Sequence, residues 1–126
     1  MSNSPYILDV DMTSFESTVI ENSFRAPVLV DFHSHTNPQC TTLLPELVSI
    51  IEAFHGQLLL AKVDCSIEDE LVRQYDICIL PTVKLFRNGE VVGEFTGLQA
   101  EPAIRHLVEP YLSRPSDAVA MQAGSL

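Results

Sequence analysis

The most constraining feature of this 126-residue sequence is a short, almost continuously apolar run, Pro-Val-Leu-Val-Asp-Phe, at residues 27–32. Apolar residues at consecutive positions of a strand indicate that both of its faces are buried. A sheet with such a strand needs helices on each side. Hydrophobic residues make up 46% of the chain and charged residues 19%, which supports a sizeable core in one domain of this length.

Strand and helix patterns alternate along the first two thirds of the chain. Helical spacing of apolar residues after Asn37 predicts a long helix that Pro45 kinks. Asp11 is a candidate N-cap, and Thr13 with Glu16 has the spacing of a capping box. The predicted elements are a strand at Tyr6–Val10, a helix from Asp11 to about Asn22, the strand at Pro27–Phe32, the long helix at Asn37–Phe54, a strand at Leu58–Cys65 and a short helix at Glu68–Tyr75.

The pattern changes after Pro81, where two strand-like runs flank Arg87-Asn88-Gly89-Glu90. Asn-Gly is a strong hairpin signal because both residues tolerate a positive φ, so the strands at Thr82–Phe86 and Val91–Phe95 are expected to be antiparallel. A last helix is predicted at Gln99–Leu112. The order βαβαβα followed by ββα predicts an α/β domain over residues 1–112, with a mixed central sheet and helices on both faces.

Residues 113–126 have a different composition. Ser113–Asp117 is typical of a linker, and residues 118–123 are good helix formers that would make only a marginal isolated turn. This segment is either a frayed tail or the beginning of a longer helical region.

The charge and the cysteine count narrow the classes of function. Seven Lys and Arg against 17 Asp and Glu give a net charge of −10, which repels phosphate backbones and anionic lipid, so neither nucleic acid nor membrane is expected as a partner. The N-terminus has no export signal pattern. Three cysteines, an odd number, argue against a disulfide-stapled secreted scaffold, and we expect a cytoplasmic protein.

The junction after the apolar strand holds the first candidate site residue, Cys40. Asn37 and Pro38 are a good N-cap and N1 pair, so Cys40 falls within the first turn of the long helix. A helix N-terminus lowers the pKa of a thiol and makes it reactive. Free cysteine is also among the most buried residue types, so Cys40 is either an activated thiol or a small core residue.

Several motifs together resemble a thioredoxin domain over about residues 6–112: Val30-Asp31-Phe32, the Cys-bearing helix start, the mid-helix proline and Leu80-Pro81-Thr82 before a hairpin. The family's motif is Trp-Cys-Gly-Pro-Cys, and here Thr36-Asn37-Pro38-Gln39-Cys40 takes its place. By this resemblance Cys40 has the resolving position and Asn37 has the position of the nucleophile. Asparagine cannot attack a disulfide, so the resemblance implies a thioredoxin fold without dithiol turnover and without a cofactor.

A narrower resemblance is to the chaperedoxins, the CnoX/YbbN group. It rests on five stretches: His55-Gly56-Gln57, Ala61-Lys62-Val63-Asp64-Cys65, Leu80-Pro81-Thr82-Val83, Phe86-Arg87-Asn88-Gly89 and Glu101-Pro102-Ala103-Ile104-Arg105. The resemblance implies a redox-sensitive holdase or co-chaperone of the stress response that binds unfolded or oxidised clients. It also implies hand-over to the chaperonin GroEL through C-terminal TPR-like repeats, of which residues 113–126 would be the truncated start.

Two other functions remain open. The chain is alternatively a thiol–disulfide oxidoreductase that uses Cys40 with Cys65 or Cys78, or an inert docking domain for helical repeats.

Asp31 and Lys62 are the next candidates. A carboxylate inside an apolar strand must be paired or protonated. The resemblance implies that Asp31 is a buried proton acceptor beneath the cysteine position and that Lys62 lies close to it. The alternative is that Asp31 is a paired charge that the fold merely tolerates.

The resemblance also implies a peptide-binding edge. Pro81 matches the family's cis-proline, beside which the backbone of Leu80 pairs with bound peptide. His33 stands where thioredoxins often have tryptophan.

The remaining candidates are two cysteines and a possible metal site. Cys65 is either a core thiol or, by the resemblance, a thiol that forms mixed disulfides with clients. Cys78 lies in the loop before Leu80-Pro81, and this position predicts that it is the most exposed of the three thiols. It lies either near the predicted peptide-binding edge or elsewhere on the surface without a functional role. His33 and His35 with Cys40 are three potential ligands from one loop without a fourth, so we expect no metal.

Overall fold

The computed structural model describes residues 4–112, which contain a mixed five-stranded sheet. Its strands are β1 (Ile7–Asp9), β2 (Val28–His33), β3 (Leu59–Asp64), β4 (Thr82–Arg87) and β5 (Glu90–Thr96), in the spatial order β1-β3-β2-β4-β5. β3 is parallel to β1 and β2, whereas β4 is antiparallel to both β2 and β5. The predicted mixed sheet is therefore confirmed. The linker and helical start predicted for residues 113–126 lie outside the described residues.

Residues 4–112 form three α-helices: α1 (Pro38–Phe54) between β2 and β3, α2 (Asp69–Gln74) between β3 and β4, and α3 (Glu101–Val108) after β5. Pro45 lies inside α1 without ending it. The last helix is shorter than the predicted Gln99–Leu112, because its α-helical part ends at Val108 and a 3₁₀ turn follows at Glu109–Tyr111. Pro110 has no N–H to continue the α-helical hydrogen bonds, which explains the change.

The prediction for the first helix is wrong in its form and in its cap. The chain makes a π-helical segment at Glu16–Glu21 and a 3₁₀ turn at Asn22–Phe24. The Asp11 carboxylate accepts hydrogen bonds from the Thr13 hydroxyl at 2.7 Å and the Ser14 N–H at 2.9 Å. Short polar side chains that form hydrogen bonds with nearby groups compete with a regular helix start. Here the bonds to Asp11 stabilise a turn, and no capping box forms.

β2 lies at the centre of the sheet and is buried on both faces, as predicted. Val28, Val30 and Phe32 pack in a core on the side of the π-helical segment and α2. Leu29 packs on the opposite side in a core formed with α1 and α3. Asp31 shares the face of Leu29 because side chains alternate along a strand, and this places its carboxyl group under α1.

The hairpin between β4 and β5 has the two-residue loop that the Asn-Gly pair predicts. Asn88 and Gly89 have φ angles of 56° and 83°. The sequence did not predict that Ser23 anchors this loop: its carbonyl accepts from the Asn88 N–H and its hydroxyl oxygen accepts from the Gly89 N–H, each at 2.8 Å. The buried Ser23 thereby ties the first helical segment to the hairpin.

Candidate functional site

The residues singled out from the sequence meet at one edge of the sheet. β2 ends at His33, and the loop to α1 follows it. Phe32 is the partner of Thr82 in the antiparallel pairing of β2 with β4, so Pro81 follows next to His33. The start of α1, the end of β2 and the loop before β4 therefore form one continuous site.

Asn37 is the N-cap of α1, and Pro38 occupies the first turn, as predicted. The Asn37 side-chain oxygen accepts hydrogen bonds from the backbone N–H groups of Gln39 at 2.9 Å and Cys40 at 3.1 Å. These are donors that would stabilise a thiolate at a helix N-terminus. In this chain the two N–H groups donate to a neutral amide, and an amide does not attack a disulfide.

Cys40 is a buried thiol with only 4% of its surface exposed. Burial raises its pKa, and the nearby Asp31 charge raises it further, while a hydrogen bond with the backbone of Ser34 opposes the shift. Of the two roles that the sequence left open for Cys40, its burial and the raised pKa of its thiol favour the small core residue over the activated thiol. Cys40 is a small core residue.

Asp31 is 1% exposed, and among residues 4–112 its Oδ1 atom has no hydrogen-bond partner. Burial raises the pKa of this carboxyl to about 7, against the opposing effect of the Lys62 charge. The Lys62 ammonium lies 3.6 Å from a carboxylate oxygen of Asp9, which is the ion pair that it forms. Asp31 is therefore an under-compensated acid that titrates near neutral pH.

The partner of Lys62 is the residue that sequence reasoning missed. β1 is parallel to β3, and in this register Asp9 is the direct partner of Lys62. Side chains at directly paired positions of neighbouring strands point to the same face. The two strand patterns do not contain this signal, because the pairing of Asp9 with Lys62 depends on the register of β1 against β3.

A cavity of about 440 Å³ lies between the first half of α1 and the sheet. Asp31 of β2 and Lys62 of β3 line it from the sheet, and Cys40, Leu44 and Pro45 line it from α1. Its walls thus combine apolar helix side chains with one buried acid.

His33 and His35 also line this cavity. Burial is the main cause that lowers the pKa of His33, so its imidazole is neutral at physiological pH. Within residues 4–112 no group of three or more His, Cys, Asp or Glu side chains is arranged to hold a metal ion.

The loop before β4 forms an open edge beside this cavity. The Leu80–Pro81 peptide bond is cis, as the resemblance implied. The Gly97 N–H donates to the Pro81 carbonyl at 2.8 Å. Leu98 follows Gly97 directly, so this hydrogen bond holds its backbone near Pro81. Ile79 is 57% exposed and Leu98 is 47% exposed. Neither the N–H nor the carbonyl of Leu80 has a hydrogen-bond partner among residues 4–112.

All three cysteines are free thiols in different surroundings. Cys65 follows the end of β3 and is half-buried, and burial together with the Asp31 and Asp64 charges raises its pKa to about 12. Cys78 is exposed, as the loop position predicted. No helix within residues 4–112 has the length and apolar character to cross a membrane.

Comparisons with known proteins agree with this geometry. The family model described as "Thioredoxin" matches residues 6–110. The probable thioredoxin-2 of Caenorhabditis elegans is 33% identical over 113 residues, which are 89% of this chain and 77% of that protein. The mitochondrial thioredoxin of Bos taurus is 34% identical over 91 residues, 72% of this chain; the match spans about half (54%) of the bovine protein.

The chain also matches a short part of a longer protein and a solved structure. DnaJ homolog subfamily C member 10 of Rattus norvegicus is 36% identical over 94 residues, which are 75% of this chain and 12% of that protein. The structure of a point mutant of the thioredoxin from Halobacterium salinarum NRC-1 matches with a TM-score of 0.77 and 30% identity, covering 90% of this chain and 98% of that one.

Proposed function

The chain belongs to the thioredoxin family, and we propose that it is a protein-binding member of this family that does not turn over dithiols. Membership follows from the family match over residues 6–110 and from the relatives reported above. The function is that of a thioredoxin-like redox protein. The finer proposal, a redox-sensitive holdase or co-chaperone domain of the chaperedoxin (CnoX/YbbN) type, is supported by the sequence stretches between His55 and Arg105.

The open backbone of Leu80 is the observation that carries the proposal. An extended segment of another protein can pair with a free N–H and carbonyl as an added strand does. Ile79 precedes Leu80 in the chain, Leu98 follows the Gly97 that bonds to Pro81, and both side chains are exposed and apolar. We call the surface formed by Ile79, Leu80, Pro81 and Leu98 the peptide groove. It needs no nucleophile to bind an unfolded segment.

The absence of turnover follows from Asn37. Thiol–disulfide exchange needs a thiolate that attacks and a second thiol that resolves the mixed disulfide. At the attacking position this chain has an amide that caps α1, and the thiol at the resolving position is buried. Binding is therefore separated from catalysis in this protein.

The proposed partners are unfolded or oxidised client proteins in the cytoplasm. Oxidant sensitivity is assigned to Cys78, because an exposed thiol is the most accessible to oxidants. Transfer of clients to the chaperonin GroEL through C-terminal repeats is part of the same proposal and rests on the chaperedoxin resemblance alone.

The alternative function, an oxidoreductase that uses Cys40 with Cys65 or Cys78, has weaker support. Two of these thiols, Cys40 and Cys65, have raised pKa values caused mainly by burial. A thiol that stays protonated at neutral pH is a poor nucleophile.

The experiment measures the aggregation of a chemically unfolded model protein, with and without this chain. We expect the wild type to suppress aggregation and Ile79→Asp to lose most of the effect, because a carboxylate in the peptide groove opposes an apolar segment. Ile67→Asp is the matched control, since Ile67 is 69% exposed and follows β3, two strands away from β4. No suppression by the wild type, or equal loss in both variants, would contradict the proposal.

A further inference from the structure

Carboxylates lie on both sides of the peptide groove. On one side, Asp76 and Ile79 line the same small cavity at the loop before β4. Asp76 is exposed, and no cation of residues 4–112 lies within ion-pair distance of it. Its negative charge therefore remains available to a segment that binds beside Ile79.

On the other side of the groove the strand register places Asp64. Pro81 lies next to His33 at the end of β2, and His33 is the direct partner of Asp64 in β3. Neighbouring strands are about 4.8 Å apart, so the backbone of Asp64 is about 10 Å from that of Pro81. An extended chain advances about 3.3 Å per residue. A residue about three positions from the contact with Leu80 is therefore at a comparable distance from the groove.

Further carboxylates occupy the same edge of the sheet. An open cavity at the ends of β1 and β3 is lined by His33, Asp64 and three more acidic residues: Asp9, Asp11 and Glu68. The ammonium of Lys62 lines this cavity as well and is paired with Asp9. With Asp76, five carboxylates thus lie at the edge that carries the peptide groove.

The cations of the described range do not offset this excess. Two of them are paired with glutamates: Lys84 with Glu94 and Arg105 with Glu101. Two others lie at the opposite end of the sheet, where β2 begins and β4 ends: Arg25 and Arg87. Arg73 is exposed in the last turn of α2. Even with Lys62 and Arg73 counted against the five carboxylates, the edge has a net charge of −3.

From this arrangement we infer that the peptide groove selects apolar segments that are flanked by lysine or arginine. The inference rests on the proposed function and specifies the clients by their charge. Ile79 and Leu98 contact the apolar part of the segment, and the N–H and carbonyl of Leu80, which have no partner among residues 4–112, pair with its backbone. Basic residues on the flanks then meet complementary charge. Acidic segments are repelled, in keeping with the net charge of −10 of the whole chain.

The carboxylates act through their summed field, so lysine and arginine serve equally well. All five are exposed or half-buried, and each single ion pair with a client contributes little because water and salt screen it. A surface of one sign nevertheless raises the association rate of an oppositely charged partner by about tenfold or more at low salt. The selection is therefore a kinetic one, and it disappears at high salt.

The test uses three extended peptides with the same apolar centre, flanked on each side by two lysines, two glutamines or two glutamates. Stopped-flow fluorescence measures their association rate constants and Kd values at about 0.02 M and about 1 M salt, where the Debye length is about 3 Å. At low salt we expect the lysine peptide to associate about tenfold faster than the glutamine peptide, and the glutamate peptide to be the slowest. At high salt the three rates should agree within about twofold.

Charge-removing variants locate the effect. The double variant Asp64→Asn/Asp76→Asn should slow the lysine peptide about threefold at low salt and leave the glutamine peptide unchanged. Asparagine keeps the side-chain oxygen that accepts hydrogen bonds from Ser66, so the turn at residue 64 is preserved. Glu21→Gln/Glu52→Gln is the matched control: it removes two exposed carboxylates toward the opposite end of the sheet and should keep the preference for lysine.

The outcomes separate this inference from the proposed function. Equal rates for the three peptides at low salt, or an equal effect of the control and of the Asp64/Asp76 variant, overturn the charge selection and leave the peptide groove standing. If no peptide binds, the proposed function fails and the inference fails with it. Ile79→Ser should weaken all three peptides alike. Unchanged binding of the lysine peptide by this variant would place the peptide on the acidic surface outside the groove and would overturn the inference.

Discussion

Replacement of Asp31 by asparagine should stabilise this protein at pH 8. The pKa of Asp31 is raised from 3.8 to about 7 by burial, and each unit of such a shift corresponds to about 1.4 kcal/mol. Ionised Asp31 therefore costs about 4 kcal/mol of folding free energy above pH 7. The asparagine amide removes this cost but introduces a buried N–H₂ group, whose unsatisfied donors cost about 1–3 kcal/mol. The expected net gain is about 1–3 kcal/mol.

The effect of pH has a definite sign. Between about pH 4 and pH 7 folded Asp31 keeps a proton that the unfolded chain has released, so this group makes the wild type less stable as pH rises. Asparagine does not titrate. The difference in unfolding free energy between variant and wild type should therefore grow by about 4 kcal/mol from pH 4 to pH 8 in favour of the variant and level off above pH 7.

Urea unfolding of both proteins across this pH range measures the difference directly, because the other carboxyl groups contribute equally to both. Asp9→Asn is the matched control: Asp9 is the exposed partner of Lys62, and loss of an exposed ion pair costs at most about 1 kcal/mol. A loss of several kcal/mol in Asp31→Asn at pH 8, or a difference that does not change with pH, would refute the reasoning. The first result would mean that Asp31 is a paired structural charge, and the second that its pKa is the same in the folded and the unfolded chain.

Three further predictions concern local features. Cys78 should react first with a bulky maleimide, as it is the exposed thiol; peptide mapping that finds Cys65 labelled first would contradict this. Asn37→Ala should lower the free energy of unfolding in urea by about 1 kcal/mol because the cap of α1 is lost, whereas Asn37→Asp should lower it little. Equal losses of stability in the two variants would argue against the cap. Ser23→Ala leaves the Gly89 N–H without its acceptor and should lower the free energy of unfolding by about 1–3 kcal/mol. An unchanged free energy of unfolding would show that the hairpin is stable without this hydrogen bond.

The sheet could be predicted from the sequence because its signals are local. The apolar run at residues 27–32 required a strand buried on both faces, and Asn88-Gly89 required a tight hairpin; both are found. The first helix could not be predicted in detail, because Asp11 and its polar neighbours form side-chain bonds whose outcome depends on competition within a few residues. Propensity alone does not decide that competition.

The site was predictable as a set of residues but not in its electrostatics. Asn37 as N-cap and Cys78 as the exposed thiol follow from local rules and are confirmed. The state of Cys40 depends on how deeply α1 packs, and the pairing of Lys62 with Asp9 depends on the register of β1. Both are long-range properties of the packed chain, and for this reason the helix-start argument gave the wrong direction for the Cys40 pKa.

Reduction of insulin by dithiothreitol tests the central claim, that binding here is separated from dithiol turnover, most directly. The wild type should accelerate the reaction no more than buffer does. Asn37→Cys should restore clear activity, because the N–H groups of Gln39 and Cys40, now 2.9 and 3.1 Å from the Asn37 oxygen, would stabilise a thiolate there. Asn37→Ser is the matched control and should stay inactive. Robust reduction by the wild type that Cys40→Ser abolishes would contradict the account and make this protein an oxidoreductase.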